Sequence, residues 1–232
     1  GNVANNLVSL GVRNVKAFGV IGKDPFGAEM TKIMHEKGID TGSILIQNDY
    51  WHTHTYSKPY IKGHELSRID FGNFNKLSES TADRLITNLI EVIPSIDLIL
   101  INQQVQSGIH TEYLKRKLLN VIKLFPEKIF ITDSRNFNEY FEGSIRKMND
   151  HEALKLSGIR RNPDDRIPID ELRKSALMLY ERFRKPLFIT RGERGSVTVD
   201  ESGISEVPSL MILSKVDTVG AGDSYLAGAA AA

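Results

Sequence analysis

The residues best suited to chemistry lie close to the end of the sequence, in Asp217-Thr218-Val219-Gly220-Ala221-Gly222-Asp223. Two acidic side chains bracket a run of small residues, and the small-residue stretch that follows predicts a helix. Glycine lets the backbone approach a ligand closely, because no side chain stands in the way. A helix that starts here has its first N–H groups free, and its dipole favours an anion. That combination makes a phosphate or oxyanion cradle. A carboxylate at its mouth would be a poor phosphate ligand, since like charges repel. Asp223 is placed instead to take a proton from a hydroxyl attacking that phosphate. The alternative is that Asp223 only caps the helix; Asp217 and Thr218 upstream favour the chemical reading.

Other polar residues close strand-like segments, where open α/β sheets bind ligands. They are Asn102, Asp133-Ser134-Arg135, Asn149 and Thr190-Arg-Gly-Glu-Arg-Gly195. Polar strand ends occur in any fold, so each alone carries little weight. No G-x-x-x-x-G-K-[ST] loop, strand–GxGxxG–helix unit or G-x-S-x-G elbow is present, which argues against a Walker site, nicotinamide binding and a hydrolase nucleophile. His52 and His54 would share one face of a strand, which is half of a metal site. With no third ligand in evidence, packed or exposed histidines are favoured. Trp51 reads as packing rather than a sugar platform.

The elements that must position these residues follow from periodicity. Asn2–Leu10 predicts a helix and Val15–Ile21 a buried strand. Pro25–Lys37 carries Phe26, Met30, Ile33 and Met34 at helical spacing, and Gly38 stops it. Residues 44–74 break this rhythm. Tyr50–Ser57 alternates at period two, and Leu66–Phe71 follows a turn at Lys62-Gly63-His64-Glu65. The pair predicts a hairpin that leaves the main body as a lid, with an edge hairpin of the main sheet as the alternative. Ser80-Thr-Ala-Asp83 resembles a capping box before Leu85, Ile86, Leu89, Ile90 and Ile93. Strands at Asp97–Ile101, Lys128–Thr132, Ile145–Met148 and Pro186–Thr190 alternate with helices over 110–124 and 170–184, and a hairpin joins Ser196–Asp200 to Gly203–Val207. This order predicts a parallel sheet covered by helices.

Composition bounds the function. The 232 residues suffice for one domain with a substantial core. Thirty basic against 29 acidic residues leave a net charge of +1, so no global field draws in nucleic acid or membrane. No apolar run approaches the ~20 residues that cross a bilayer, and no signal peptide is visible. There is no cysteine, which removes disulfides, thiolate metal sites and a cysteine nucleophile together. A cytoplasmic enzyme or binding protein is the expected class.

Taken together, these motifs resemble those of the ribokinase-like, or PfkB, carbohydrate kinases. Asp217-Thr218-x-Gly220-Ala221-Gly222-Asp223 is similar to the C-terminal signature of that family. Gly1-Asn2-Val3-Ala4-Asn5-Asn6-Leu7 resembles the second half of its glycine-rich substrate segment, and Gly19–Gly27 the strand and turn after it. Asn149-Asp-His-Glu152 is similar to its Asn-x-x-Glu motif, and Thr190-Arg-Gly192-Glu-Arg-Gly195 to its Thr-x-Gly-x-x-Gly nucleotide loop. Within the family, Lys58 and Leu66-x-Arg68-Ile-Asp70-Phe71 look most like the heptose-7-phosphate kinases, the kinase module of ADP-heptose synthases. Ile131-Thr-Asp133-Ser-Arg135 is also similar to sugar-acid kinases.

The resemblance implies an α/β fold, a ribokinase-like three-layer α/β/α sandwich with a mostly parallel central sheet and a small β lid. Residues 1–232 would form a single kinase domain with the lid, about 44–74, inserted. The family's first strand would precede Gly1 and its last helices would follow Ala232. It implies ATP and Mg²⁺, a sugar or sugar phosphate as acceptor, and a homodimer through the lid. Asp223 would be the base, and the amides of Gly220, Ala221 and Gly222 would stabilise the transferring phosphoryl group. Thr190, Gly192, Gly195, Asp217 and Thr218 would line the nucleotide site. Asn149 and Glu152 would hold Mg²⁺ through waters. Asn2 would bind sugar hydroxyls, with Lys58, Arg68, Asp133 and Arg135 completing the substrate side. A kinase for another sugar, sugar acid or nucleoside, and a catalytically silent sugar-binding regulator, remain the alternatives.

Overall fold

The N-terminal periodicities fold as expected. Helix α1 (Asn2–Ser9), strand β1 (Lys16–Ile21), helix α2 (Pro25–Glu36) and strand β2 (Asp40–Ile46) follow one another in the computed structural model. It describes residues 1–210 and 218–232, so Asp217 lies outside the described residues. The chain divides into two units. One holds Gly1–Ser95, Val105–Lys117 and Asp223–Ala232; the other holds Ile96–Gln104 and Leu118–Gly222.

In the first unit, Asp24 caps α2 by accepting from the Gly27 amide at 2.9 Å, and Pro25 fits the first turn because its missing N–H has no partner there anyway. Gly38 ends the helix with a φ of +79°, which a side chain would oppose. Val15, Met34 and Ile39 form a small buried cluster, and β1 and β2 pair in parallel. Strand β2 had no counterpart among the expected elements, and residues 44–46, the start of the expected lid, complete it. The expected hairpin also changes shape. Only Thr55–Ser57 (β3) and Ile69–Phe71 (β6) pair as its stem, while Tyr60–Ile61 (β4) and His64–Glu65 (β5) form a separate tip. Lys62 and Gly63, both at positive φ, make the two-residue turn.

Residues 50–54 are not strand, contrary to expectation. Trp51 is buried there and donates from Nε1 to the Val20 carbonyl at 3.1 Å, which fixes the segment by side-chain anchoring rather than by a ladder. Helix α3 (Glu79–Val92) also starts earlier than the expected capping box. Ser78, not Ser80, is its N-cap and accepts from the Thr81 amide. Asp83 instead takes the Tyr113 hydroxyl and pairs with Lys117.

The second unit is built on one six-stranded sheet. Its strands are β7 (Leu98–Gln103), β8 (Ile129–Ser134), β9 (Ile145–Asn149), β10 (Leu187–Thr190), β11 (Ser196–Asp200) and β12 (Gly203–Val207), in that spatial order. Strands β7 to β10 are parallel and β11 and β12 antiparallel, a mixed sheet. Helix α4 (Glu112–Leu124) leads into β8, α5 (Asp150–Leu156) follows β9, and α6 (Ile169–Phe183) leads into β10. Leu154, Leu172, Leu179, Leu187, Ile189 and Val197 form a core exposed by 1% or less. The α5 helix is absent from the sequence-based element list; its seven residues are too few to declare a period. The last helix, α7 (Ala221–Ala231), begins within the glycine run. No described helix is long and apolar enough to cross a membrane.

Candidate active site

Parallel pairing places the carboxyl ends of β7 to β10 side by side, and the singled-out polar residues stand there in register. Asn102 lies opposite Asp133, Asp133 opposite Lys147, and Asn149 opposite Thr190. One residue in that row, Lys147, had not been singled out. It is 7% exposed, and its Nζ lies 3.0 Å from Asp133 Oδ2. The signal for it was present: alternation along β9 puts Lys147 and Asn149 on one face and turns Arg146 and Met148 to the other. Arg146 has no exposure; three backbone carbonyls hold its guanidinium, and burial first, then Arg182, lower its pKa to about 10.

Asn149-x-x-Glu152 is a capping box in the structure. Asn149 Oδ1 accepts from the Glu152 amide, and Glu152 Oε2 accepts from the Asn149 amide, each at 2.8 Å. The motif therefore starts α5 and holds a carboxylate at its first turn. Burial pushes the Glu152 carboxyl above its ordinary value; the Asn149 N–H opposes this, the neighbouring Asp133 adds to it, and Lys147 and Arg135 lower it. Among the described residues, Glu152 Oε1 and the second lone pair of Asn149 Oδ1 remain for a ligand. They fit a hydrated Mg²⁺ held through water, which needs only one or two carboxylates. Among the described residues, no group of three or more His, Asp or Glu side chains forms a dedicated metal cage.

The Thr190–Gly195 loop turns back after β10. The Arg191 amide donates to the Gly195 carbonyl at 2.8 Å, and Gly192 and Gly195 take φ of +59° and +84°. A Cβ on Gly195 would lie 2.0 Å from the Val207 carbonyl oxygen, so the loop is pressed against the strand behind it. Thr190 Oγ1 donates to the Met148 carbonyl. Gly220, at φ +82°, turns the chain into α7. The Ala221 amide donates to the Thr218 carbonyl at 3.2 Å, so it is not free as expected. A Cβ on Gly222 would meet Lys147 Nζ at 3.0 Å. The glycine thus admits an ammonium group at the first turn of α7, where the dipole already favours an anion.

In the first unit, Asn2 and Asp223 meet although 221 positions separate them. Asn2 Nδ2 donates to Asp223 Oδ2 at 3.1 Å, and Asn6 Nδ2 donates to Ser224 Oγ at 3.1 Å. One carboxylate oxygen is thereby oriented, and Asp223 is only half-buried. The expected phosphate-holding cations have carboxylate or amide partners. Lys58 pairs with Glu65 at 3.0 Å, and Arg68 forks onto Asp70 and lies over the Tyr56 ring. In the second unit Arg135 donates to Gln104. His54 packs edge-on against Trp51 rather than sharing a strand face with His52.

Known proteins share this fold. Escherichia coli phosphofructokinase-2 in complex with potassium superposes with a TM-score of 0.74 at 19% identity, covering 97% of this chain and 71% of that one. Ribokinase from Giardia lamblia gives 0.72 at 20% identity over 97% and 68%. The fold is therefore ribokinase-like. Among curated proteins, the "Bifunctional protein HldE" of Campylobacter fetus is 24% identical over 98% of this chain, and that of Hyphomonas neptunium is 29% identical over 100% of this chain. The chain spans about half the length of these relatives, 47% and 46%. The model of the pfkB family carbohydrate kinases matches residues 1–232, from the Asn2 segment through the strand ends to the glycine run, and the chain belongs to that family.

Proposed function

We propose that this chain is the kinase part of an enzyme that moves the γ-phosphoryl group of ATP to a sugar hydroxyl, with a heptose 7-phosphate or similar sugar phosphate as acceptor. The observation that carries it is Lys147 meeting Gly222 at the start of α7, on the sheet edge that bears Asn149 and Thr190. Cationic and dipolar groups so placed match the charge of a transferring phosphoryl group. The amides of Gly220 and Gly222 and the Lys147 ammonium would face that group. Thr190, Gly192, Gly195 and Thr218, with Asp217, would line the nucleotide, and Asn149 and Glu152 would hold Mg²⁺, which neutralises phosphate charge when bound. Asp223, next in sequence to Gly222, would take the proton of the attacking hydroxyl, with Asn2 orienting its carboxylate.

The lid residues favour a phosphorylated acceptor, with Lys58 and Arg68 exchanging Glu65 and Asp70 for its phosphate; Asp133 and Arg135 belong to the same reading. That the curated relatives are bifunctional fits a kinase that is one part of a longer protein. With 44–46 given to β2, residues 47–74 are read as the lid of one kinase domain, and exposed Tyr56, Ile69 and Phe71 on its short sheet support a homodimer formed there. Turnover of Mg·ATP against a panel of heptose phosphates, other sugar phosphates, free sugars, sugar acids and nucleosides tests the assignment. Transfer to a heptose 7-phosphate is the expected result. Preference for another member corrects the substrate, and ATP binding with no transfer to any member overturns the kinase reading.

Glu152 gives a check that needs no substrate. Folding favours its protonated form, so its contribution is most favourable below the ordinary value of 4.5 and is lost as pH rises through the raised value. The ionised form therefore opposes folding at neutral pH until a cation relieves it. Glu152→Gln keeps an acceptor for the Asn149 N–H. It is expected to match or exceed the wild-type Tm at pH 7 without Mg²⁺, with the difference closing toward pH 4.5, and to lose the extra stabilisation that Mg·ATP gives the wild type. A clear drop in Tm at pH 7 without Mg²⁺ would count against a cation-holding carboxylate.

A further inference from the structure

Arg194 lies in the loop after β10 and Asp150 in the first turn of α5, and they form a shielded ion pair. Arg194 Nη2 is 2.7 Å from Asp150 Oδ2, with side-chain exposures of 19% and 7%. The same guanidinium donates from Nη1 to the Ile167 carbonyl at 2.8 Å and from Nε to the Arg191 carbonyl at 3.3 Å. Asp150 Oδ1 accepts from the His151 amide at 3.0 Å. Arg194 therefore ties three pieces of chain together: its own turn, the segment before α6, and the start of α5. A planar guanidinium fixes such directions where a lysine ammonium would not.

Each piece has other support. Ala153 and Leu154 bury α5, and the loop is pressed on Val207 through Gly195. Pairing of Thr190 with Asn149 sets the base of the 190–195 loop beside the start of α5, and the ion pair joins the far side of that loop to the first turn that carries Glu152. We propose that Arg194 and Asp150 are positioning residues for nucleotide binding, a strap that holds Gly192 and its turn at a fixed distance from Glu152. The strap rests on the reading of these two segments as the nucleotide side of the site. Both residues occupy the open positions of the two motifs, Asn-x-x-Glu and Thr-x-Gly-x-x-Gly, so the motif residues are held in place by the residues between them.

The test uses the whole protein and a fluorescent ATP analogue with Mg²⁺ as the probe. Arg194→Gln, Asp150→Asn, the double variant and Arg194→Lys are titrated well below their measured Tm, alongside KM for the sugar found in the panel. Arg194→Gln and Asp150→Asn are expected to weaken analogue binding by roughly 10- to 100-fold, the range typical when a residue that orients ligand groups is removed. The sugar KM should stay at the wild-type value, the double variant should bind no worse than the weaker single, and Arg194→Lys should recover part of the loss. A merely structural pair would lower Tm yet leave the affinity of the folded protein unchanged; that result overturns the strap and leaves the nucleotide assignment standing. If Arg194→Gln does not fold, Arg194→Lys and Asp150→Asn decide by the same affinity readout. No binding to the wild type would overturn the nucleotide assignment, and the strap with it.

Discussion

Asp223→Asn is expected to slow phosphoryl transfer by on the order of 10²-fold or more, the usual contribution of a positioned general base, with KM for ATP and folding nearly unchanged. The substitution is close to isosteric. An asparagine oxygen still accepts from Asn2 Nδ2, so the contact that ties α1 to the first turn of α7 can survive. What disappears is the capacity to take a proton, together with one negative charge at a helix N-terminus. That charge contributes only about 0.3–1 kcal/mol to stability, far less than the loss in rate. Turnover therefore separates a helix cap from a base: a cap, which asparagine replaces about as well, keeps both Tm and turnover, whereas a base keeps Tm and loses turnover. Single-turnover rates with saturating Mg·ATP and the best sugar of the panel, alongside a thermal melt, separate the two. Wild-type turnover in Asp223→Asn would remove the base from the mechanism.

The parts of this architecture that follow a period were legible, and the parts that depend on a few anchoring contacts were not. Buried strands such as Pro186–Thr190 and the hairpin at 196–207 declare themselves by composition and by a tight turn, and the structure forms both. The segment 50–57 has strand periodicity as well, yet only Thr55–Ser57 pairs. There, burial of Trp51 and its bond to Val20 override the local pattern, as tertiary contacts commonly override β propensity. The candidate site divides in the same way. Glycine runs and polar strand ends are local and were visible. Alternation along β9 marks the position of Lys147, but the roles of Lys147, Asp150 and Arg194 were not visible, because they come from partners on other elements: Asp133 for the first, and each other for the second and third. The capping box at Asn149 and Glu152 shows the converse case. There a motif quoted for ligand binding also starts a helix, so its residues have a structural task beside any chemical one.

Lys147→Met should give the largest loss of stability among single changes at the site. Lys147 and Asp133 are 7% and 5% exposed, and their charged atoms stand 3.0 Å apart across β8 and β9. Removing the ammonium breaks a buried ion pair, which typically costs about 3–5 kcal/mol. For a chain of this length that is a fall in Tm of roughly 10 °C. The double change Lys147→Met with Asp133→Asn removes both charges and should restore most of that loss, because a neutral pair carries no such penalty. Function should not return with the fold. A hydrogen bond to a charged group contributes about 1.5–3 kcal/mol, so a Lys147 that faces phosphate at Gly222 predicts kcat/KM for ATP lower by roughly 10- to 100-fold in the double variant. Melting curves and ATP kinetics on the same samples give the answer. If the double variant recovers ATP turnover together with Tm, Lys147 serves the sheet alone, and the anion site at the start of α7 must do without it. Recovery of Tm with turnover still depressed, where Asp133→Asn alone keeps its turnover, assigns the lysine two tasks: it neutralises Asp133 within the sheet and meets phosphate at the glycine whose missing side chain makes room for it.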